Sequence, residues 1–340
     1  MTDITHSTND NGNSRIKNFT IKKNYSQNWS LYNLAQTKEK LLFLRIINDA
    51  VDYLDIPYKY KGNGRPHFLL QDMIKCCCIK VFNCFSSRRT ISELQLAYAL
   101  GYIKTIPHFN SINNYMNNPE ITQYFEQLYK ILAFPLVEVE SIFAIDSTGF
   151  SLPHKVKWLE IRLKGKWRYS KDYKKLHIIT GVNTNIVTAV KITEGYKHDI
   201  KEFEPLVRET AKKFRIKEIC ADTGYLSRKN CDIAHEIGAI PFILPKKDTR
   251  IKSRGSYNWL RMVRLWHDNL ELFKQHYHKR SNVESTFSMI KRKFLSFVRS
   301  KTDIAQTNEL LCKVICHNAS VLVNSIFELG IELNFEDYYK

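Results

Sequence analysis

The longest apolar runs in this 340-residue sequence are short and interrupted by Lys or Asp, which argues against a membrane-crossing helix. Its first residues, MTDITHSTNDNGNSRIKNF, are polar and lack the apolar stretch of a secretory leader. Paired C-x2-C spacing is missing as well. Cys76, Cys77 and Cys78 are consecutive, with Cys84 on the same helical pattern, and Cys312-x3-Cys316-His317 lies in LLCKVICHNASVLV. Neither group has structural-zinc spacing, so reduced thiols packed in a core are expected. Negative charge is scarce: 34 Asp plus Glu stand against 52 Lys plus Arg, a net +18. That excess favours polyanionic partners, because each cation placed on a phosphate releases condensed counterions. A ribosome-bound or merely basic soluble protein would show the same balance.

What is abundant is core material. Hydrophobic residues make up 44%, with 19 Phe, 18 Tyr and 5 Trp. The length suits two domains, or one catalytic domain with a helical appendage. Residues 1 to about 35 are rich in Asn, Ser, Thr and Lys and read as a mobile basic arm. Residues 36–135 read as helical. KEKLLFLRIINDAVDYL forms one broad apolar face, KGNGRP at 61–66 is a turn, and Pro66 opens a helix through Met73, Ile74, Val81 and Phe82. Two short helices follow around Gly101 and Pro107, with Arg88 and Arg89 ahead of the first. They resemble a helix-turn-helix, or equally an ordinary helical hairpin.

From about residue 138 the character changes. SIFAIDST (141–148) reads as a short buried strand ending in an acid. KLHIITGVNT and IVTAVKIT form a hairpin around Thr184-Asn185. A helix over 201–214, a second acid-ended strand in KEICADTGY, a helix over about 227–237, the strand AIPFILP and helices over 281–295 and 304–328 complete the chain. Three antiparallel strands followed by βαβ units is the order of an α/β, ribonuclease H-like fold, a mixed sheet flanked by helices, with its first and fourth strands adjacent.

Asp146 and Asp222 each follow a short apolar run, where an unpaired carboxylate is costly. On adjacent strands they could share cations, and hard oxygen ligands favour magnesium or manganese. Each could instead cap the turn after it. Tyr277, Arg280, Glu284 and Lys291 are spaced by three, four and seven residues, which places them on one helical stripe if the helix reaches back to Tyr277. A solvated face with an Arg280–Glu284 pair would give the same pattern.

The spacing Tyr277-x2-Arg280-x3-Glu284-x6-Lys291 resembles the Tyr-Arg-Glu-Lys signature of insertion-sequence transposases of the DDE superfamily. IDSTGF and ADTGYLSR resemble that family's two aspartate blocks, and the likeness runs through KLHIITGVNT and GYKHDIKEFEPLV over roughly residues 60–320. It implies a catalytic domain over 138–330, with Asp146, Asp222 and Glu284 as catalytic ligands of two Mg2+ ions, Mn2+ being an alternative. It also implies phosphate contacts from Arg280 and Lys291 beside Tyr277. Arg292, Lys293, Arg88 and Arg89 are further candidate DNA contacts. His198 and Asp199 match the family's His-Asp pair, with a supporting part expected of them.

The implied activity is cutting at the element's ends and joining the freed 3′-OH to target DNA by two-metal phosphoryl transfer. The implied partners are terminal inverted repeats and target DNA, bound by a homodimer. The implied place is the cytoplasm, at the nucleoid of a prokaryotic cell, without a membrane. Residues 246–301 hold fifteen Lys or Arg against four acids, and 155–175 hold nine against two, interleaved with Trp158, Trp167, Tyr169 and Tyr173. A nuclease of the same fold without strand transfer, or a silent DNA-binding relic, are the rival readings.

Overall fold

The computed structural model describes residues 28–57, 68–152, 173–251 and 255–339. Its centre is a mixed five-stranded sheet of order β3-β2-β1-β4-β5. Strands β1 (Ile142–Ser151), β2 (Tyr173–Gly181) and β3 (Val187–Glu194) form an antiparallel meander, and β4 (Glu218–Ala221) and β5 (Ile240–Ile243) run parallel to β1. The first and fourth strands are neighbours, as the ribonuclease H-like order requires. Parallel pairing needs crossovers, and helices α6 (Phe203–Ala211) and α7 (Arg228–Glu236) supply them between β3 and β4 and between β4 and β5. Ser227 starts α7 by accepting the Asn230 N–H at 3.0 Å.

The β2–β3 turn is built around groups that arrive from elsewhere in the chain. Asn185 has φ 64°, a left-handed conformation that Asn tolerates, and its carbonyl accepts Nε2–H of His317 at 2.8 Å. The Glu140 carboxylate accepts the Thr184 N–H at 2.6 Å and the Asn183 N–H at 3.2 Å. A Cβ on Gly181 would lie 2.3 Å from the Glu140 carboxyl carbon and would push that carboxylate off the turn it holds.

Five helices precede the sheet: α1 (Trp29–Asp52), α2 (Leu70–Phe82), α3 (Ser87–Ala99), α4 (Phe109–Met116) and α5 (Pro119–Ala133). Asn28, Ser86 and Asn118 cap α1, α3 and α5. Because α1 begins at Trp29, residues 29–35 belong to a helix and not to the arm; residues 1–27, the KGNGRP turn and Pro66 lie outside the described residues. Gly101 stops α3 at φ 75°. Arg88 and Arg89 sit inside the first turn of α3 instead of ahead of it. After β5 come two helices the sequence reading missed, α8 (Tyr257–Asp268) and α9 (Leu270–Tyr277), then α10 (Ser281–Phe294) and α11 (Asp303–Leu329).

Helix α11 joins the two halves. It packs on α1, α2 and α5 and also on β3, within one continuous core. The Asn318 side chain accepts the Val187 N–H at 3.0 Å and donates to the Val187 and Tyr129 carbonyls at 2.8 and 3.0 Å, so one amide ties the edge strand to α5. Against the expectation from interrupted runs, α11 is long and apolar enough to cross a membrane, with a mean hydropathy of 1.5. Yet 83% of that window is buried inside the protein, which identifies a core helix. All eight cysteines are free thiols, seven of them buried, as expected of packing groups.

Burial of His317 lowers its pKa to about 4. An unfolded His, near 6.5, takes its proton first as pH falls. Folding stability is therefore complete above pH 6.5 and lost between pH 6.5 and 4, by up to about 3 kcal/mol for this group. His177, likewise lowered to about 4 by burial, acts in the same direction. The urea midpoint of His317→Gln is expected to fall less over that window than that of the parent. Parallel pH profiles would contradict this.

Candidate active site

Alternation along β1 puts Ala144, Asp146 and Thr148 on one face of the sheet. The parallel pairing of β1 with β4 ends at Ile145 opposite Ala221, so Asp146 and Asp222 stand side by side one residue beyond it. The expectation that the first acid ends its strand needs correction. β1 continues to Ser151, because β2 pairs with it through Ser151 opposite Tyr173. Asp146 is therefore a mid-strand residue, held by a ladder on one side and open where β4 stops.

The capping alternative is realised at Asp222 and not at Asp146, after which the strand continues, and it leaves both acids available. Asp222 accepts the Gly224 N–H at 2.9 Å through Oδ1 and starts the tight turn Thr223–Tyr225. Asp146 Oδ1 accepts the Ser147 N–H at 2.8 Å. Each of these bonds uses one oxygen of the two. The second oxygen of Asp146 meets Arg280, whose Nη1 donates at 2.7 Å, while Nη2 donates to Glu284 Oε1. One guanidinium thus bridges an acid of the sheet and an acid of α10. Tyr277 ends α9, the turn His278–Arg280 follows, and α10 begins at Ser281, so the stripe spans two helices and the link between them. The Arg280 guanidinium lies 5.9 Å from the Tyr277 ring, which packs on Phe273. Further along α10, Lys291 Nζ donates to Thr148 Oγ1 at 2.6 Å and stands 5.3 Å from the Phe150 ring.

Burial raises the Asp146 pKa to about 6; the charges of Asp222 and Glu284 add to the rise, and the Ser147 N–H and Arg280 oppose it. Such a site has more negative charge than it can solvate. The donors are hard carboxylate oxygens of the type that hold magnesium. Among the described residues no three His, Cys, Asp or Glu side chains converge as a metal cluster, since Glu284 is turned to Arg280. The fit lies in the charge: the guanidinium already joins as a cation two of the acids that a metal would join.

The remaining candidates are dispersed. Arg292 is exposed on α10. Lys293 faces the helical layer instead, ion-paired with Glu39 and donating to Ser320 Oγ at 3.0 Å, so it is tied up in packing and not presented beside the acids. Arg88 covers the Phe109 ring at 4.7 Å and Arg89 the Phe85 ring at 4.6 Å, both at the exposed start of α3. Tyr173 donates to the Gly195 carbonyl at 2.8 Å; residues 155–172 of the aromatic-basic stretch lie outside the described residues. Asp199 accepts from Lys175 Nζ at 2.7 Å and lies 3.5 Å from His177 Nδ1, while His198 is exposed.

Two buried groups went unread in the sequence, Tyr225 beside the acids and His177 against Asp199. Both are buried; among the described residues His177 Nδ1 meets no hydrogen-bond partner, and Tyr225 Oη meets none of good geometry, with only the Ser147 side chain approaching it. Burial raises the Tyr225 pKa, the charges of Asp199, Asp146 and Asp222 raise it further and the Ser147 side chain opposes the rise, which places the phenol near the acids. A lone His in the apolar strand KLHIITG was the available signal. An unsatisfied buried hydroxyl costs stability. Tyr225→Phe is therefore expected to melt no lower than the parent, and a loss above about 1 kcal/mol in denaturant titration would show that the hydroxyl is bonded.

A family model described as "Transposase DDE domain" matches residues 138–319, from just before β1 to well inside α11 and across all three acids. The chain belongs to that family. Together with the Tyr277, Arg280, Glu284 and Lys291 signature, the match makes it an insertion-sequence transposase of the DDE superfamily. It is similar to the probable transposase for insertion sequence element ISA1214 of Archaeoglobus fulgidus, 25% identical over 233 residues that cover 68% of this chain and 69% of the relative. A loose structural likeness, TM-score 0.23 at 11% identity, is to a chain in a crystal structure of a pre-cleavage Mos1 transpososome, covering 77% of this chain and 95% of that one.

Proposed function

We propose that the chain cuts DNA at the ends of its own element and joins the freed 3′-OH to target DNA, with Asp146, Asp222 and Glu284 as the catalytic acids. The observation that carries this reading is the Arg280 guanidinium spanning Asp146 and Glu284, with Asp222 one strand away. These residues would hold two divalent cations, Mg2+ or Mn2+, which when bound ease both the deprotonation of the attacking oxygen and the departure of the leaving one. The protein's own groups do the positioning. The β1 ladder and the Ser147 N–H hold Asp146 in place, and the Gly224 N–H holds Asp222. Arg280 can exchange a carboxylate for a phosphate, since each offers two oxygens to the planar fork of the guanidinium. Lys291, on Thr148, sets a second cation along the same face.

The helical residues 36–135 act as a DNA-binding unit, with Arg88 and Arg89 at the exposed start of α3, and residues 138–330 as the catalytic unit. Two element ends must be held together, so the working form is a homodimer on DNA in the cytoplasm. The test is an assay with terminal-repeat DNA, target DNA and Mg2+. Joined product is expected; cleavage without joining would instead support a nuclease, and neither product a DNA-binding relic.

A further inference from the structure

An open cleft of 580 Å3 lies beside the acids, bounded by the loop after β3, the turn after Asp222 and the segment after β5. These three segments leave the same edge of the sheet, the carboxyl ends of strands β3, β4 and β5. Ligands in open α/β sheets bind at that edge, where strand order reverses, here between β1 and β4. The volume is within the roughly 300–1,000 Å3 range of sites that admit a group the size of a nucleotide.

The lining is cationic in a particular way. Asp199, the acid in the wall, is already neutralised by Lys175 at 2.7 Å. Lys175 also donates to the Lys197 carbonyl at 3.3 Å, which fastens the loop after β3 to the sheet. Three further lysines, Lys197, Lys201 and Lys246, are exposed along the rim and have no ion-pair partner among the described residues. Tyr196 stands beside them at 81% exposure, an aromatic face open to solvent. Thr223 and Gly224, which follow Asp222 directly, form the wall nearest the acids. Unpaired cations beside an open aromatic ring are the elements of single-strand recognition: phosphates meet the charges and a base stacks on the ring.

We propose that this cleft binds a single DNA strand running past Asp222, with its phosphates on Lys197, Lys201 and Lys246 and a base on Tyr196. It rests on the reading of Asp222 as part of the active site for its place in the reaction, though not for binding itself. A duplex fits the arrangement less well, because stacked bases cannot offer a face to Tyr196.

The experiment uses the full chain in EDTA, which removes metal-dependent chemistry from the readout. Binding of a fluorescent dT20 strand and of a 20-base-pair duplex is followed by anisotropy across salt. For K197E/K201E/K246E the slope of log affinity against log salt on dT20 is expected to become shallower by about 2, from about 0.7 per lost phosphate contact. Tyr196→Ala is expected to weaken dT20 binding roughly 5- to 150-fold and duplex binding much less. All four side chains are exposed, and unchanged thermal melting would confirm intact folds. A triple variant with the parent slope, or a Tyr196 variant that loses strand and duplex alike, would overturn the proposal. Failure of the active-site reading looks different: Asp222→Asn would then keep cutting while the cleft variants still lost single-strand binding.

Discussion

Asp222→Asn is expected to abolish cutting and joining, by on the order of 10⁴-fold, while DNA affinity in EDTA stays within about threefold. The amide keeps the shape of the side chain, and its oxygen still accepts the Gly224 N–H, so the turn Thr223–Tyr225 keeps its start. What disappears is one negative charge beside Asp146. That charge is one of the causes of the raised Asp146 pKa, and it is the one supplied from β4. With it gone, the site attracts a divalent cation less strongly, and binding of DNA phosphates should improve slightly if anything. Cutting measured on terminal-repeat DNA with Mg2+ would decide the matter. A variant retaining a tenth of the parent rate would remove Asp222 from the catalytic acids and leave it a turn cap.

The second large effect is expected far from the acids. Lys313 on α11 is 1% exposed, and Nζ donates to the carbonyls of Leu295 and Phe297 at 3.0 and 2.6 Å. Leu295 ends α10 with φ 72°, a conformation a branched residue adopts only when its surroundings impose it. One turn away on the same helix, Glu309 accepts the N–H groups of Arg299 and Ser300. The pair pins residues 295–300, where Val298 N–H also bonds the Ser151 carbonyl at the end of β1. The register of α10 over β1 depends on this clamp, and so do Arg280 over Asp146 and Lys291 over Thr148.

Lys313→Met leaves Glu309 buried without its cation and two carbonyls without a donor. A loss of about 3–5 kcal/mol is expected in urea titration, together with reduced activity of the fraction still folded. Adding Glu309→Gln should recover part of the loss, since the buried charge is then gone. A single variant within 1 kcal/mol of the parent would show that the clamp is dispensable.

Much of the fold was legible because its signals are local. The acid-ended apolar runs, the Thr184-Asn185 turn and the Ser227 cap each specify their element within a few residues. The helices α8 and α9 were not legible because each buries little, Trp259, Met262 and Val263 in the first and Phe273 in the second, too narrow an apolar stripe for a period to show. The strand-end placement of Asp146 was wrong for a related reason. β1 owes its last five residues to β2, a partner that begins 22 residues further along the chain than the end of β1. The same holds for Lys293, which the basic run suggests for DNA and which Glu39, 254 residues away, takes for packing.

What the sequence by itself determined is the chemistry: two acids after apolar runs and four side chains at fixed helical offsets, enough to identify the family. A helical offset is set by the backbone alone, so it survives without knowledge of the fold. Only the tertiary structure decided which of these groups meet. It put Arg280 between Asp146 and Glu284, gave Lys291 to Thr148, and set Lys197, Lys201 and Lys246 around a cleft without ion-pair partners among the described residues. Those outcomes depend on where β4 stops pairing and on how α11 holds the end of α10, and both are contacts between residues far apart in the chain.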